Sequence, residues 1–350
     1  MDKKDRIGIY TFIASNNYGA VLQAYALKET LRKYGYNSYC IDYRPLFLTK
    51  KNRLFPSLNR KFNLKSFIRD LYVVFPTIRK NNIFESFRNQ HLSLATAGGL
   101  QTAIIGSDQV WNYKITNGDR VFLGEISDCD NLISYAASME VGLTESQKED
   151  FISHVKRFNA VSARESSLTH FLRKEIDVDS TTVVDPTLLL TKEEWRKISS
   201  PYPKVRTSFV LLYSLGLNKE DERLAEAFAK SKGLQLIKFT VGVKIGDYAN
   251  DISPEQFIYL FDKASYIITN SFHGTSFSII FGKKFLEVRN MNLKKNSRVE
   301  DLFSLVGVNP ASIYNTSKPI EDSDFIQISE YPETLTTMIN SSLQFLKDNV

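Results

Sequence analysis

Ile7-Gly8-Ile9-Tyr10-Thr11-Phe12, followed by the loop Ala14-Ser15-Asn16-Asn17-Tyr18-Gly19, is the stretch that decides the fold. Its first six residues read as a short buried strand, and the loop is rich in turn formers. A helix then carries Val21, Leu22, Tyr25, Ala26 and Leu31 at close to helical period, and Gly35 stands where a C-terminal stop is expected. Ser38-Tyr39-Cys40-Ile41-Asp42-Tyr43 is a second strand. Strand, helix and strand in so short a span make a βαβ unit, which favours a right-handed crossover and a parallel sheet.

The alternation continues outward from this unit. Residues 102–106, 132–137 and 160–163 are strand-like, and 182–186 ends a strand before a turn. Residues 45–92 interrupt the rhythm with helical stretches, clearest at 64–75. A connection containing Pro201 and Pro203 leads into a second series of strands at 209–213, 234–240, 266–269 and 284–288. The expected architecture is α/β, with two Rossmann-like domains facing across a cleft. The first would span 1–195 and include the basic helical insertion at about 45–92, the second 196–330. A last helix within 331–350 is expected to pack back on the N-terminal domain. Ligands bind such folds at the C-terminal ends of the parallel strands.

Composition narrows the class. With 350 residues, 43% hydrophobic and 24% charged, the chain is globular and large enough for two domains. Cys40 and Cys129 are far apart and form no CxxC pair, so neither a disulfide framework nor a zinc site is expected. The start Met1–Arg6 is charged rather than signal-like, and no run of 18 apolar residues occurs, so a cytoplasmic location is expected. The net charge of +6 is concentrated between Lys50 and Lys80, where nine basic residues face a single acid, Asp70. Phe55, Phe62, Phe67 and Phe75 are interleaved there. This pattern suits either a solvated face over a packed stripe or a peripheral contact with an anionic membrane. No recognised module supports nucleic acid as a partner.

Four segments at strand ends can carry chemistry. In Thr269-Asn270-Ser271-Phe272-His273-Gly274-Thr275-Ser276 a strand gives way to a helix whose start can hold an anion. His273 there can move a proton or simply cap the helix. Ser271, Gly274 and Thr275 are small enough to admit a ligand. In Ser162-Ala163-Arg164-Glu165 the Arg164 guanidinium suits a carboxylate or phosphate, or a salt bridge to Glu165 or another acid. In Gly106-Ser107-Asp108-Gln109-Val110-Trp111-Asn112, Asp108 can act as a base or as a cap. Gln109 adds an amide beside it, and Trp111 can stack on a sugar ring or belong to the core. The amides of Asn16 and Asn17, beside Tyr18, can hydrogen-bond sugar hydroxyls or serve as turn and cap residues. Asp185, before Pro186, is a fifth candidate that reads more readily as a turn former. No metal-ligand cluster is visible, so neither metal nor cofactor is expected.

These motifs, in this order, resemble the polysaccharide pyruvyl transferase family. The resemblance runs from about residue 7 to 290, through Asn17-Tyr18-Gly19-Ala20-Val21-Leu22-Gln23, Gly106–Asn112, Ser134-Tyr135-Ala136-Ala137-Ser138, Ser162–Glu165, Val184-Asp185-Pro186-Thr187 and Ser271-Phe272-His273-Gly274. It implies a fold like that of GT-B glycosyltransferases, phosphoenolpyruvate as donor co-substrate, and a sugar of a cell-surface glycan or its precursor as acceptor; the basic 50–80 stretch would suit a lipid-linked acceptor. The product would be a pyruvate ketal. His273 and Asp108 would be catalytic, and Arg164, Ser271, Gly274 and Thr275 would bind the donor. Active relatives carry an Arg-Leu-His motif where this chain has Ser271-Phe272-His273. The missing guanidinium shifts donor binding toward Arg164, Lys283, Lys284 or Arg289. Two other readings remain open: a GT-B glycosyltransferase using a nucleotide sugar, and a non-catalytic scaffold for glycan assembly.

Overall fold

The computed structural model describes residues 6–49, 64–139, 142–216, 219–244, 246–288, 297–314 and 318–350. The N-terminal half holds strands β1 (Arg6–Tyr10), β2 (Asn37–Ile41), β3 (Leu94–Ala95), β4 (Leu100–Asp108), β5 (Cys129–Ala137), β6 (Ser162–Ala163) and β7 (Thr181–Thr182). They form one parallel sheet in the order β3-β2-β1-β4-β5-β6-β7. That is a doubly wound order. The C-terminal half holds β8 (Phe209–Ser214), β9 (Gln235–Thr240), β10 (Tyr266–Thr269), β11 (Lys284–Glu287) and β12 (Ile326–Gln327), in the order β12-β11-β10-β8-β9. Only β12 runs antiparallel among the described strands. The expected α/β architecture with parallel sheets is therefore observed.

Helices fill the crossovers. In the first half these are α1 (Tyr18–Lys33), α2 (Leu46–Thr49), α3 (Leu64–His91), α4 (Tyr113–Thr116), α5 (Glu145–Val155) and α6 (Ser166–Glu175). The short α7 (Lys192–Lys197) leads to the second half, which contains α8 (Lys219–Ser231), α9 (Pro254–Lys263), α10 (Phe272–Ile280), α11 (Ser297–Leu305) and α12 (Glu333–Asn349).

The helix α1 starts where Asn17 accepts a hydrogen bond from the Gly19 N–H at 3.0 Å, and it ends before Gly35, whose φ of 88° suits glycine. Burial extends beyond the apolar positions read from the sequence: Tyr18 to Leu31 is buried almost all round, including Gln23, Lys28 and Thr30. The reason is position: α1 lies between the two halves, so water reaches neither side. Tyr18 stacks on Phe257 with ring centroids 5.1 Å apart, and its hydroxyl donates to the Ile252 carbonyl at 2.9 Å. One apolar core accordingly runs from Ile7 and Phe84 through Tyr18 to Phe239 and Phe257. The helix α12 lies on the first half, where the Val184 N–H donates to the Ser342 hydroxyl at 3.0 Å and Phe345 packs near Tyr135.

Much of the basic stretch, residues 50–63, lies outside the described residues. Lys80 corrects the picture of a uniformly exposed face. It is buried, and its ammonium donates to the carbonyls of Thr240 and Gly242 in the other half, at 2.9 and 3.1 Å. Tyr72 and Phe75 of α3 are exposed. No described helix is long and apolar enough to cross a membrane.

Candidate active site

A parallel sheet lines up the C-terminal ends of its strands, and here four of them supply one cluster. Ser107 and Asp108 end β4, Ser138 follows β5, Arg164 and Glu165 follow β6, and Asp185 follows β7. Asp185 is fully enclosed. Its Oδ1 accepts from the Thr187 N–H and hydroxyl at 3.0 and 2.8 Å, capping the short 3-10 turn that Pro186 begins. Its Oδ2 accepts from Arg164 Nη1 at 2.8 Å and from the Ser107 hydroxyl at 3.4 Å. Arg164 Nε donates to Glu165 Oε1 at 3.3 Å, and the Ser138 hydroxyl donates to the same oxygen at 2.6 Å. The Ser138 N–H in turn donates to the Asp108 carbonyl at 3.0 Å. The guanidinium also lies 4.6 Å from the centre of the Phe272 ring, a cation–π distance.

The second half delivers His273. Ser271 caps α10 by accepting from the Gly274 N–H, and His273 follows in the first turn. The His273 ring lies directly against Gly19: a Cβ there would come within 2.0 Å of Nδ1. Gly19 is thus required by the close approach of the N-termini of α1 and α10. Both helix ends bring partial positive charge to the same place. His273 Nε2 points toward Asp185 Oδ2 at 3.6 Å, an ion-pair distance too long for a hydrogen bond.

Among the described residues, three buried polar atoms of the cluster have no hydrogen-bond partner: Arg164 Nη2, Glu165 Oε2 and His273 Nε2. Unpartnered buried polar atoms are uncommon and often mark ligand positions. Burial alone would raise the Asp185 carboxyl, but His273 and then Arg164 outweigh it, and the group is held well below the usual carboxylate range. Burial works against the Arg164 charge, while Glu165 and Asp185 outweigh it and hold the guanidinium firmly protonated. A cavity of about 320 Å³ opens beside the cluster, lined by Arg164, Glu165, Asp185 and Phe272 and by Arg298 and Leu302 of α11.

The sequence candidates separate into two groups. Arg164 and His273 meet at Asp185, and Asp108 lies close enough to Arg164 to bear on its charge. The Asp108 carboxylate also accepts from the Gln109 N–H at 2.8 Å, with φ of 72° in the left-handed region that aspartate tolerates. Asn17 serves as the α1 cap, while Gln109 accepts from the Asn112 amide at 2.7 Å.

The others are engaged elsewhere in the fold or lie outside the described residues. Trp111 is fully buried between Phe151 and Phe158, with its indole N–H on the Phe122 carbonyl, so its face cannot stack on a sugar. Tyr18 is buried between the halves. The Asn16 amide is engaged at both ends, donating to Asn81 and accepting from Arg88. Gly274 makes room for Thr269, whose Oγ1 would lie 2.2 Å from a Cβ there, and Thr275 bonds to the Ser271 carbonyl and the Glu287 carboxylate. Both therefore serve helix–strand packing. Lys284 begins β11, at the end of the strand away from Glu287 and the cleft, near Asp322. Arg289 lies outside the described residues.

Sequence reasoning undervalued Asp185, which it read as a turn former, and missed Glu165 as a shared acceptor. It also missed Arg298, which had no motif around it; its position beside the cleft follows only from the packing of α11. Among the described residues, no group of three or more His, Cys, Asp and Glu side chains is placed to hold a metal.

Structural similarity is broad and distant. The fold is similar to that of an uncharacterized protein from Klebsiella pneumoniae, at 12% identity and a TM-score of 0.47, covering 91% of this chain and 93% of that one. It is also similar to MnaA of S. aureus in a co-structure with UDP, at 11% identity and a TM-score of 0.49, covering 100% of this chain and 98% of the other. A UDP-GlcNAc 2-epimerase from Neisseria meningitidis gives 10% identity and a TM-score of 0.46, with 98% of each chain covered. No curated protein matches the chain in sequence. The family model for polysaccharide pyruvyl transferase matches residues 17–290, well over half of the length, and the chain belongs to that family.

Proposed function

We propose that this protein transfers the pyruvyl group of phosphoenolpyruvate to a sugar of a cell-surface glycan or its precursor. The observation that carries the reading is the pair of buried, unpartnered nitrogens, Arg164 Nη2 and His273 Nε2, at the cleft where the starts of α1 and α10 abut. A donor with both a carboxylate and a phosphate needs such partners.

The chemistry balances with these groups. A proton adds to the methylene carbon of the donor, making C2 electrophilic. One sugar hydroxyl attacks C2 and loses its proton. The C2–O bond to phosphate breaks and phosphate leaves. A second hydroxyl attacks C2 and closes the ketal. Of the two hydroxyl protons, one replaces the proton taken up at carbon and the other leaves with phosphate. In this reading His273 gives the proton or holds the phosphate, Arg164 binds the donor anion, and Asp108 accepts a hydroxyl proton.

The test is thermal stability of the purified protein with phosphoenolpyruvate and, separately, with nucleotide sugars. Saturation at about 100 times Kd adds about 2.7 kcal/mol of stability. The expected result is a rise in Tm with phosphoenolpyruvate that His273→Ala reduces. A rise with a nucleotide sugar alone would overturn the donor assignment.

A further inference from the structure

The cleft contains a second guanidinium besides that of Arg164, brought from elsewhere in the fold. Arg298 lies in the first turn of α11 and lines the same cavity as Arg164. Its placement follows from Asp301, one turn further on. Asp301 Oδ2 accepts from the Ser166 N–H at 3.1 Å, and both its carboxylate oxygens lie 3.3 Å from the Ser166 hydroxyl. Ser166 directly follows Arg164 and Glu165. Residues three apart share a helix face, so the contact that docks Asp301 brings Arg298 to the Arg164 side of the cavity.

Arg298 is half-buried, and its guanidinium has no hydrogen-bond or ion-pair partner among the described residues. Its charge is disfavoured first by burial and then by the like charge of Arg164. Such a group is costly to hold in place without an anion and is favoured when one arrives. The second, independent observation is Arg164 itself: it is 7% exposed, lines the same cavity, and has one guanidinium nitrogen unpartnered.

We propose that Arg298 and Arg164 together form a two-guanidinium seat for an oxyanion of the substrate. This rests on the reading that the cleft takes an anionic donor. The seat recognises either a carboxylate or a phosphate, and phosphoenolpyruvate presents both.

Titration calorimetry on the full chain with phosphoenolpyruvate, inorganic phosphate and UDP tests it, using wild type, Arg298→Gln and Arg298→Lys. Arg298→Gln should weaken phosphoenolpyruvate binding about tenfold or more, with Arg298→Lys in between because it keeps the charge but loses the fork. The unliganded Arg298→Gln protein should melt close to wild type, because the guanidinium removed has no hydrogen-bond or ion-pair partner among the described residues and burial, first of all, opposes its charge. A merely structural arginine would behave oppositely, lowering Tm and leaving affinity unchanged. If wild type and Arg298→Gln bind phosphoenolpyruvate equally, the seat is wrong and the donor assignment survives. If wild type ignores phosphoenolpyruvate but binds phosphate or UDP in an Arg298-dependent way, the seat stands and the pyruvyl donor falls. If wild type binds none of the three, both fall. Should Arg298→Gln fold poorly, unchanged affinity in Arg298→Lys would itself overturn the seat, since the fork geometry is what the proposal requires.

Discussion

Asp185 holds the catalytic candidates together. One carboxylate oxygen caps the turn at Pro186 through Thr187, and the other meets Arg164 and faces His273. Replacing Asp185 with Asn keeps the shape but removes the charge, leaving a buried Arg164 with Glu165 as its hydrogen-bonded acid and Asp108 nearby. Breaking a buried pair in this way costs about 3–5 kcal/mol, and urea denaturation should show a loss of that size. A loss below about 1 kcal/mol, the range of an exposed pair, would mean that water reaches the cluster. The pH dependence has a definite sign. The folded carboxyl titrates below its unfolded value of about 3.9, so its contribution is complete above that pH and is lost as pH falls further. The acid limb of the wild-type stability curve should therefore be steeper than that of Asp185→Asn.

Among the elements, α3 has the most unexpected role. It leaves the first half and inserts Lys80 between the halves, 5.2 Å from the centre of the Tyr18 ring and on two carbonyls at the end of β9 and just beyond it. Burial pushes the ammonium down to about 7, against about 10.4 in the unfolded chain. Below about pH 7 both states bind the proton, and the folded state bears the full cost of the buried charge. Between the two values the unfolded chain binds more protons, so stability rises with pH. The Tm of wild type minus that of Lys80→Met should climb from about pH 6.5 to about pH 9.5, whereas a flat difference would place Lys80 in water. This lysine also shows where the sequence is legible and where it is not. Strands β1, β2, β8 and β10 and the start of α10 could be read because hydrophobic period and turn residues are local signals. The carbonyls that Lys80 meets, the rings of Tyr213, Phe239 and Phe257 around Tyr18, and the His273 ring against Gly19 lie in the other half of the chain, and no local pattern encodes them. Arg164 was readable as an anion or acid partner, but its choice of Asp185 depended on the two-residue strands β6 and β7, too short to leave a periodic signature.

At the scale of the molecule, the halves share a core rather than a polar seam. Tyr18 contacts Phe84 from its own half and Tyr213, Phe239 and Phe257 from the other, in stacked and edge-on geometries. The helix α12 then ties the chain's end back to β5, with the Asn131 amide donating to the Asn349 carbonyl at 2.7 Å. Where two sheets bury a common apolar cluster, neither half keeps its core when the other opens, and the two should unfold as one cooperative unit. The same continuity fixes His273, carried by the second half, against Gly19 and Asp185 of the first. The candidate site is then assembled before any ligand arrives. Tyr18→Ala tests both consequences. It leaves a large void and an unbonded Ile252 carbonyl, and should destabilise by about 3–5 kcal/mol. Calorimetry should still give a single transition, moved to lower temperature. Two resolved transitions in the wild type would mean that the halves fold separately, and that His273 reaches Asp185 only when a ligand draws the halves together.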